Sequence, residues 1–214
     1  MGCVKNMVIK CPVCSTEVEN WERTCPVCGF SAHVIDDFEA WAPELARSAS
    51  GDYFDPDKFK ELAALEDANF WFQARNELLL WAIKHYFGKP LHYAEVGCGT
   101  GYVLRAVEQA YPESEIVGTE LFVEGLKYAS QRCKRAKLVQ LDARNIPWRN
   151  QFDVVGIFDV LEHIEDDEGV LGQIFDSLVY GGGIDYSAST PVVMERGRRG
   201  GLPCKALFGQ GAGT

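Results

Sequence analysis

The run Ala94-Glu95-Val96-Gly97-Cys98-Gly99-Thr100-Gly101 constrains the fold of this 214-residue chain more than any other stretch. It follows a short apolar segment, residues 91–94, and precedes a helix-like segment, residues 102–110. This order predicts a strand, a glycine turn and the start of a helix. Glycines permit a tight turn and leave backbone amides open to a ligand. A lone G-x-G-x-G does not say which ligand, so the rest of the chain must decide.

Three later apolar segments are predicted to be strands, and each ends at or next to an acidic residue. Glu120 follows Gly101 by 19 residues, about where dinucleotide-binding folds place a carboxylate that binds ribose. Strands tipped with acids at their carboxyl ends indicate a parallel α/β sheet with a ligand along that edge. A single such acid could equally be a solvated strand end. The segments are 115–121, 137–143 and 152–159, and the acids are Glu120, Asp142 and Asp159.

The chain has eight cysteines, four of them regularly spaced as Cys11-Pro-Val-Cys14 and Cys25-Pro-Val-Cys28-Gly29. Two C-x2-C turns predict a tetrahedral thiolate site with the metal ligands Cys11, Cys14, Cys25 and Cys28. Structural zinc is the first expectation, and iron or two disulfides are the alternatives. A module of this size buries too little to fold without such a staple. Cys98 is interpreted as a small turn residue and Cys133 as helix packing.

Residues 57–87 have helical patterning, with an interruption expected at residues 66–69 and an end at residues 88–90. The predicted apolar stripe contains Phe72, Leu79, Ile83 and Tyr86, flanked by Trp71, Leu78 and Ala82. The predicted organisation is a zinc ribbon (1–34), a linker and lead-in helix (35–66), a cofactor-binding domain (67–183) and an anomalous tail (184–214).

Composition limits the partners. The formal net charge of −10 argues against non-specific binding to nucleic acid or to an anionic membrane, and 47% apolar residues support a real core. No apolar run approaches the ~20 residues of a membrane-spanning helix. The first ten residues lack a signal-peptide pattern, so a cytoplasmic protein is expected.

Five of these segments together resemble class I S-adenosylmethionine-dependent methyltransferases, in particular the type 11, ubiquinone-biosynthesis-like branch. They are Glu95–Gly101, Glu120, Leu141–Trp148, Phe152–Val155 and Asp159–Ile164. The likeness covers about residues 67 to 183. A nicotinamide-binding Rossmann enzyme is the rival, but its turn is G-x-G-x-x-G. The cysteine segment is similar to a zinc ribbon or rubredoxin-like knuckle.

The resemblance implies an S-adenosylmethionine site. Glu120 would bind the ribose hydroxyls and Asp142 the adenine amino group, with the glycines approaching the methionine part. The segment Asn69–Asn76 resembles the F-W-F-x-A-R segment of type 11 enzymes. The resemblance implies that Arg75 of this chain meets a carboxylate. The alternative is that the segment is only an amphipathic helix packed on the sheet. The implied cofactor-binding set is Arg75, Glu95, Gly97, Cys98, Gly99, Gly101, Glu120, Leu121, Asp142, Ala143, Phe158 and Asp159.

Asp159, Glu162 and His163 are spaced i, i+3, i+4, which would bring them together on a helical turn. They resemble the acid-x-x-Glu-His trio of ubiquinone O-methyltransferases, which implies a divalent metal site. A catalytic base at His163, or a hydrogen-bonded loop without chemistry, is the alternative.

The implied function is methyl transfer to a small-molecule acceptor, at oxygen first and at carbon or nitrogen otherwise. A zinc-ribbon adaptor that uses a methyltransferase-like domain only for binding is the second possibility. RNA methylation is the third and least favoured possibility. Residues 1–50 hold four basic and seven acidic residues and no basic stripe, which argues against RNA binding. A protein partner of the ribbon is compatible with this charge.

The tail departs from the family. Residues 184–201 lack strand periodicity and turn basic in an acidic chain. Read one nucleotide out of frame, the codons of residues 184–196 permit L-I-T-V-P-A-H-P-W-L-W-S, which resembles the family's fifth strand and its following loop. We therefore interpret residues 184–214 as a frameshifted tail, which arose from a sequencing error or a real lesion; a natural or designed substitute tail is the alternative. With such a tail we expect missing or disrupted C-terminal strands, an exposed fourth strand, poor stability and little turnover.

The frameshift is testable in the gene. We expect DNA sequencing across the Gly183 codon to place codons for that peptide in the second frame. Codons for residues 184–196 that forbid the peptide would contradict the interpretation.

Overall fold

The structure, a computed structural model, describes residues 8–19, 21, 24–47, 58–188 and 190–196, with the backbone alone from residue 187 on. The helices are α1 (Lys58–Glu66), α2 (Phe70–Tyr86), α3 (Tyr102–Ala110), α4 (Val123–Arg132) and α5 (Asp167–Ser177). The strands are β1 (Val8–Lys10), β2 (Glu17–Glu19), β3 (His33–Ile35), β4 (Phe38–Ala40), β5 (His92–Val96), β6 (Glu115–Glu120), β7 (Lys137–Gln140), β8 (Trp148–Arg149), β9 (Phe152–Phe158), β10 (Leu178–Ala188) and β11 (Thr190–Arg196).

The central sheet has the strand order β11-β10-β9-β5-β6-β7-β4-β3. Its neighbours from β10 to β4 pair in parallel, whereas β11 and β3 are antiparallel to the strands beside them. This confirms the predicted α/β class, and the four predicted strands correspond to β5, β6, β7 and β9. Parallel strands end at one edge of a sheet, so the acids after them are brought to the same side of the molecule.

The predicted interruption between the first two helices is present. Asn69 caps α2, because its side-chain oxygen accepts a hydrogen bond from the Trp71 backbone amide at 2.9 Å. The inner face of α2 packs on the sheet through Leu79, Ala82 and Ile83, which are fully buried. Of the flanking residues, Ala82 is therefore in the core, whereas Trp71 and Leu78 remain about half exposed.

The segment predicted as a linker, residues 35–56, instead begins with part of the main sheet. Strand β4 pairs in parallel with β7, and β3 continues the sheet beyond it. The cysteine module is also joined to the domain through β1, which pairs with β8. Residues 48–57 lie outside the described residues. The N-terminal module is thus continuous with the cofactor-binding domain through two separate strand pairings.

The C-terminal strands were expected to be missing or disrupted, but a strand that follows β9 in the sheet is present. Strand β10 pairs in parallel with β9 from Gly183 to Ser187, with a register shift between Leu178 and Gly183. The free backbone groups of β9 can pair with any extended segment, and Ile184 supplies one fully buried apolar side chain. Strand β9 is therefore not an edge strand. The rest of the predicted tail, residues 197–214, lies outside the described residues.

Strand β10 nevertheless contains a residue that lowers the stability of the fold, Asp185. Asp185 is fully buried, and neither of its carboxylate oxygens has a hydrogen-bond partner within the described part of the chain. Burial raises the pKa of Asp185 well above its ordinary value, although the positive charge of Arg75 opposes that shift. A buried, unpaired carboxyl in a central position costs stability.

We predict that Asp185→Asn raises the free energy of unfolding at pH 7 by about 1–3 kcal/mol. The folded carboxyl retains its proton at a pH where the unfolded one, with a pKa of ~4, has lost it. The folded state therefore binds more protons, and the stability of the unchanged chain falls as pH rises above ~4. Urea titrations at several pH values should show that the free energy of unfolding falls less with rising pH in the variant than in the unchanged chain.

The control is Asp176→Asn, which removes an exposed carboxylate at the end of α5. It should leave the pH dependence unchanged. A stability of Asp185→Asn equal to or below that of the unchanged chain at pH 7 would contradict the assignment of a buried, unpaired carboxylate.

Candidate functional site

The glycine turn joins β5 to α3 with a backbone that other residues rarely adopt. Gly97, Gly99 and Gly101 all have positive φ angles, of 71°, 52° and 74°. A Cβ on Gly97 would lie 2.3 Å from a methyl carbon of Val160, and a Cβ on Gly101 would lie 2.8 Å from the Ala129 backbone. Gly97 thus lets the segment after β9 approach the turn, whereas Gly101 permits close packing of α3 on α4.

A cavity of about 1030 Å³ opens at the carboxyl edge of the sheet above this turn. That volume is at the upper end of small-molecule and cofactor sites. Twelve sequence-predicted residues line it: Arg75, Glu95, Gly97, Cys98, Gly99, Glu120, Leu121, Asp142, Ala143, Phe158, Asp159 and His163. Gly101 and Glu162 are not among the lining residues.

Glu120 is held in one orientation at the end of β6. One carboxylate oxygen accepts a hydrogen bond from the Gly99 amide at 3.0 Å, and the other accepts one from the Phe122 amide at 3.1 Å. The residue is 8% exposed, and burial raises its pKa although these amides oppose the shift. Each oxygen retains a second lone pair, so the carboxylate can still accept from a pair of hydroxyl groups.

Asp142 lies at the corresponding place after β7. Its carboxylate accepts from the Arg144 backbone amide at 2.9 Å and from the Arg144 guanidinium, with Nε 3.0 Å from each oxygen. Asp142 is buried and Arg144 lines the cavity. This bidentate contact fixes the carboxylate at the cavity wall.

Arg75 reaches the cavity wall from α2. Its guanidinium forms an ion pair with Asp159 at 2.6 Å and lies 5.4 Å from the Trp71 ring centroid. The side chain of Arg75 is largely buried at 14% exposure. It is the cation that faces the acids at the ends of β5 and β9.

Glu95 is buried beneath Arg75 at the end of β5. The Tyr93 hydroxyl donates to its carboxylate at 3.4 Å. Burial raises the pKa of Glu95 well above its ordinary value, and Arg75 and Tyr93 lower it in part. Glu95 therefore favours its neutral form more than an exposed acid does.

The predicted convergence of Asp159, Glu162 and His163 is wrong. Asp159 has a left-handed φ of 56°, and residues 161–163 form a short 3-10 turn rather than an α-helical turn. Among the described residues, the only set of three or more His, Cys, Asp or Glu side chains whose ligand atoms all lie within 4.8 Å of one another is the four cysteines. The backbone bend at Asp159 turns its carboxylate towards Arg75, which leaves no preformed divalent metal site here.

Helix α1 contributes contacts to the site that the sequence did not predict. Phe59 lies over the glycine turn, with its ring 3.7 Å from the position of a Cβ on Gly99. Arg132 on α4 forms a buried ion pair with Glu66 and also donates to the Thr100 hydroxyl at 2.7 Å. These contacts join residues more than 30 positions apart in the sequence. No local pattern could have indicated them.

The four regular cysteines come together in two turns of the same shape. Within each turn the carbonyl of the first cysteine accepts from the fifth residue's amide, Ser15 or Gly29. Cys11 and Cys28 sulfurs are 3.5 Å apart, and those of Cys14 and Cys25 are 3.6 Å apart. Thiolates on a tetrahedral zinc lie about 3.8 Å apart, given Zn–S bonds of ~2.3 Å. All four are free thiols, so the disulfide alternative is not adopted.

Hydrogen bonds with Thr16 lower the pKa of Cys14 to about 6, which favours a thiolate there. The pKa of Cys28 is raised to about 12: its hydrogen bond with the Phe30 backbone lowers it, but burial and the hydrogen bonds with the other three cysteines outweigh that effect. The chemistry and spacing of the four sulfurs thus fit a zinc ion.

Residues 94–184 match the profile of a protein family described as a methyltransferase domain. A curated relative, a ubiquinone biosynthesis O-methyltransferase of Psychrobacter arcticus, is 30% identical over 96 residues. The matched region covers 41% of this chain and 37% of the relative, so the chain spans well under half of that protein's length.

Two solved structures share the fold. The N-methyltransferase NodS of Bradyrhizobium japonicum WM9, in complex with S-adenosyl-L-homocysteine, superposes with a TM-score of 0.53 at 17% identity, covering 61% of this chain and 70% of NodS. The plantazolicin methyltransferase BpumL superposes with a TM-score of 0.54 at 21% identity, covering 63% of this chain and 54% of BpumL. Such low identities establish the fold alone. The class I methyltransferase fold expected from the sequence is confirmed.

We predict about one zinc per chain by elemental analysis, and less than a tenth of that in Cys25→Ser. Because β1 pairs with β8 and β4 pairs with β7, the module is joined to the rest of the domain, and removing zinc with a chelator should also lower the melting temperature. Cys133→Ser is the control, since it removes a buried thiol outside the cluster. Full metal content in Cys25→Ser would contradict the four-sulfur site.

Proposed function

We propose that this chain binds S-adenosylmethionine and transfers its methyl group to a small-molecule acceptor. The observation that carries the proposal is the alignment of Glu120, Asp142 and the glycine turn along one cavity at the carboxyl edge of the sheet. Gly97 and Gly99 line the cavity without side chains, and the space beside Gly97 is occupied by Val160. Bound S-adenosylmethionine would supply a methyl group already activated by its sulfonium charge.

Each of the chain's own groups then has a role in holding the cofactor. Glu120 would accept from both ribose hydroxyls, since its carboxylate is oriented by two amides. Asp142 and the Ala143 amide would bind the adenine. Arg75 would bind the methionine carboxylate while it remains paired with Asp159. Phe59 and Phe158, which line the cavity, would exclude water.

Methyl transfer requires chiefly that the acceptor is held in line with the methyl group at ~3–3.5 Å. We propose oxygen as the acceptor atom, which the likeness to the O-methyltransferase supports. An oxygen acceptor must lose a proton, and His163, one of several titratable groups at the cavity wall, would take it. Carbon and nitrogen acceptors remain the alternatives. In the described part of the chain, no helix has the length and apolar character to cross a membrane.

We propose that the zinc module has a structural role. Strand β4 pairs with β7 of the main sheet, and β1 pairs with β8 in a separate three-stranded sheet, so the N-terminal module is held to the domain at two places. This supports a structural role over that of a separate adaptor. A zinc-ribbon adaptor that tolerates loss of cofactor binding is the competing function.

We predict that Glu120→Gln lowers affinity for S-adenosylmethionine by about 10- to 100-fold, because the amide cannot accept both ribose hydroxyls. Isothermal titration calorimetry measures the change. Glu115→Gln is the matched control, since Glu115 lies on the same strand at the opposite edge with its side chain 85% exposed. Its affinity should equal that of the unchanged chain.

Two outcomes would contradict the proposal. Equal binding by the Glu120 and Glu115 variants would remove Glu120 from the cofactor site. No heat of binding for the unchanged, zinc-loaded chain would reject the cofactor, and would leave the adaptor function.

A further inference from the structure

The outer face of α2 is unusually apolar for a surface helix. Phe70, Trp71, Leu78 and Trp81 are 80%, 52%, 49% and 54% exposed. At 100° per residue these side chains fall within one third of the helix circumference, together with the exposed residues Ala74 and His85. We call these six residues the outer face of α2. The inner face of the same helix is already buried on the sheet.

The outer face exposes roughly 500 Å² of apolar side-chain surface, given the size of these residues. The largest apolar patch of a typical monomer is about 300–600 Å², and one partner contributes ~800 Å² to a standard stable interface. With its polar neighbours Gln73, Glu77 and Lys84, the helix therefore offers about the area that a small, stable interface needs.

We propose that the outer face of α2 binds a second copy of this chain, with the two α2 helices antiparallel about a two-fold axis. Such an interface must be self-complementary. With the axis between Glu77 and Leu78, residue 74 of one copy lies opposite residue 81 of the other. The large Trp81 ring of one copy then packs over the small Ala74 side chain of the other, and the two-fold axis repeats this contact.

The remaining positions agree with the same axis. Residue 70 lies opposite residue 85, so each Phe70 ring meets a His85 ring. Residue 71 lies opposite residue 84, which places the Lys84 ammonium near the Trp71 ring, a favourable cation–π pair. A single register thus gives three favourable kinds of contact: a large side chain against a small one, two aromatic rings, and a cation against an aromatic ring.

Charge favours a second copy over a membrane surface. Membrane-binding helices carry several lysine or arginine residues beside their apolar face, whereas Lys84 and Glu77 flank this one with opposite signs. The chain's net charge of −10 would also repel an anionic membrane. Two acidic copies repel each other weakly over long range, so we expect the dimer to tighten as salt rises.

Sedimentation velocity from about 1 to 100 µM tests the proposal, with a dimer dissociation constant expected on the order of 10 µM. Ala74→Trp should weaken the dimer at least ~10-fold, because two tryptophans then compete for one space. Trp81→Ala should weaken it similarly. The double variant Ala74→Trp/Trp81→Ala exchanges large for small, and should restore most of the affinity.

Tyr180→Glu is the control, since Tyr180 is an exposed aromatic residue outside α2 and its loss should change nothing. Circular dichroism verifies that each variant is folded. A monomer at all concentrations would overturn the proposal. Tighter association of the Ala74→Trp variant would also overturn it, because that result indicates a non-specific apolar patch. Co-sedimentation of the unchanged chain with neutral phosphatidylcholine vesicles would overturn it as well, because that result indicates a membrane-binding surface.

Discussion

The close approach of two backbone turns at the carboxyl edge of the sheet determines the rest of this structure. Gly97 ends β5 with a positive φ angle, and the missing side chain leaves room for Val160 in the segment that follows β9. Strands β5 and β9 are adjacent and parallel, so both chain reversals occur side by side. The cavity forms between them, and the acids at the strand ends face it.

A second consequence concerns charge. The cavity is lined by several carboxylates, and two of its arginines are already paired with acids. Burial raises the pKa of Glu95 and of Glu120, which reduces the mutual repulsion of these acids. An acidic, partly apolar cavity of this kind suits a ligand that carries hydroxyl groups, amino groups and a cationic centre.

The sequence correctly predicted the features that depend on interactions between neighbouring residues. The glycine turn, the interruption before α2 and the four parallel strands depend on neighbouring residues, and these predictions were confirmed. The added strand β4 was missed because three residues show no periodicity. The convergence of Asp159 with its neighbours failed because spacing assumes helical backbone, whereas Asp159 bends to the left-handed region.

The cysteine module shows how distant parts of the chain support the cavity. Trp21, Phe30 and Trp41 form an aromatic cluster between the module and the main core. Beside it, the buried Gln140 side chain binds both backbone groups of Ala42, and the Ala46 carbonyl accepts from the first amide of α4. These contacts brace the ends of β6 and β7, where Glu120 and Asp142 lie.

Hydrogen–deuterium exchange with and without S-adenosyl-L-homocysteine tests the central claim, a nucleoside site at the carboxyl edge of the sheet, most directly. We expect slower exchange of backbone amides in residues 97–101, 120–123 and 142–145 when the ligand is present, with unchanged exchange at the opposite edge around residues 113–115. Protection confined to other segments, or no protection at saturating ligand, would contradict it.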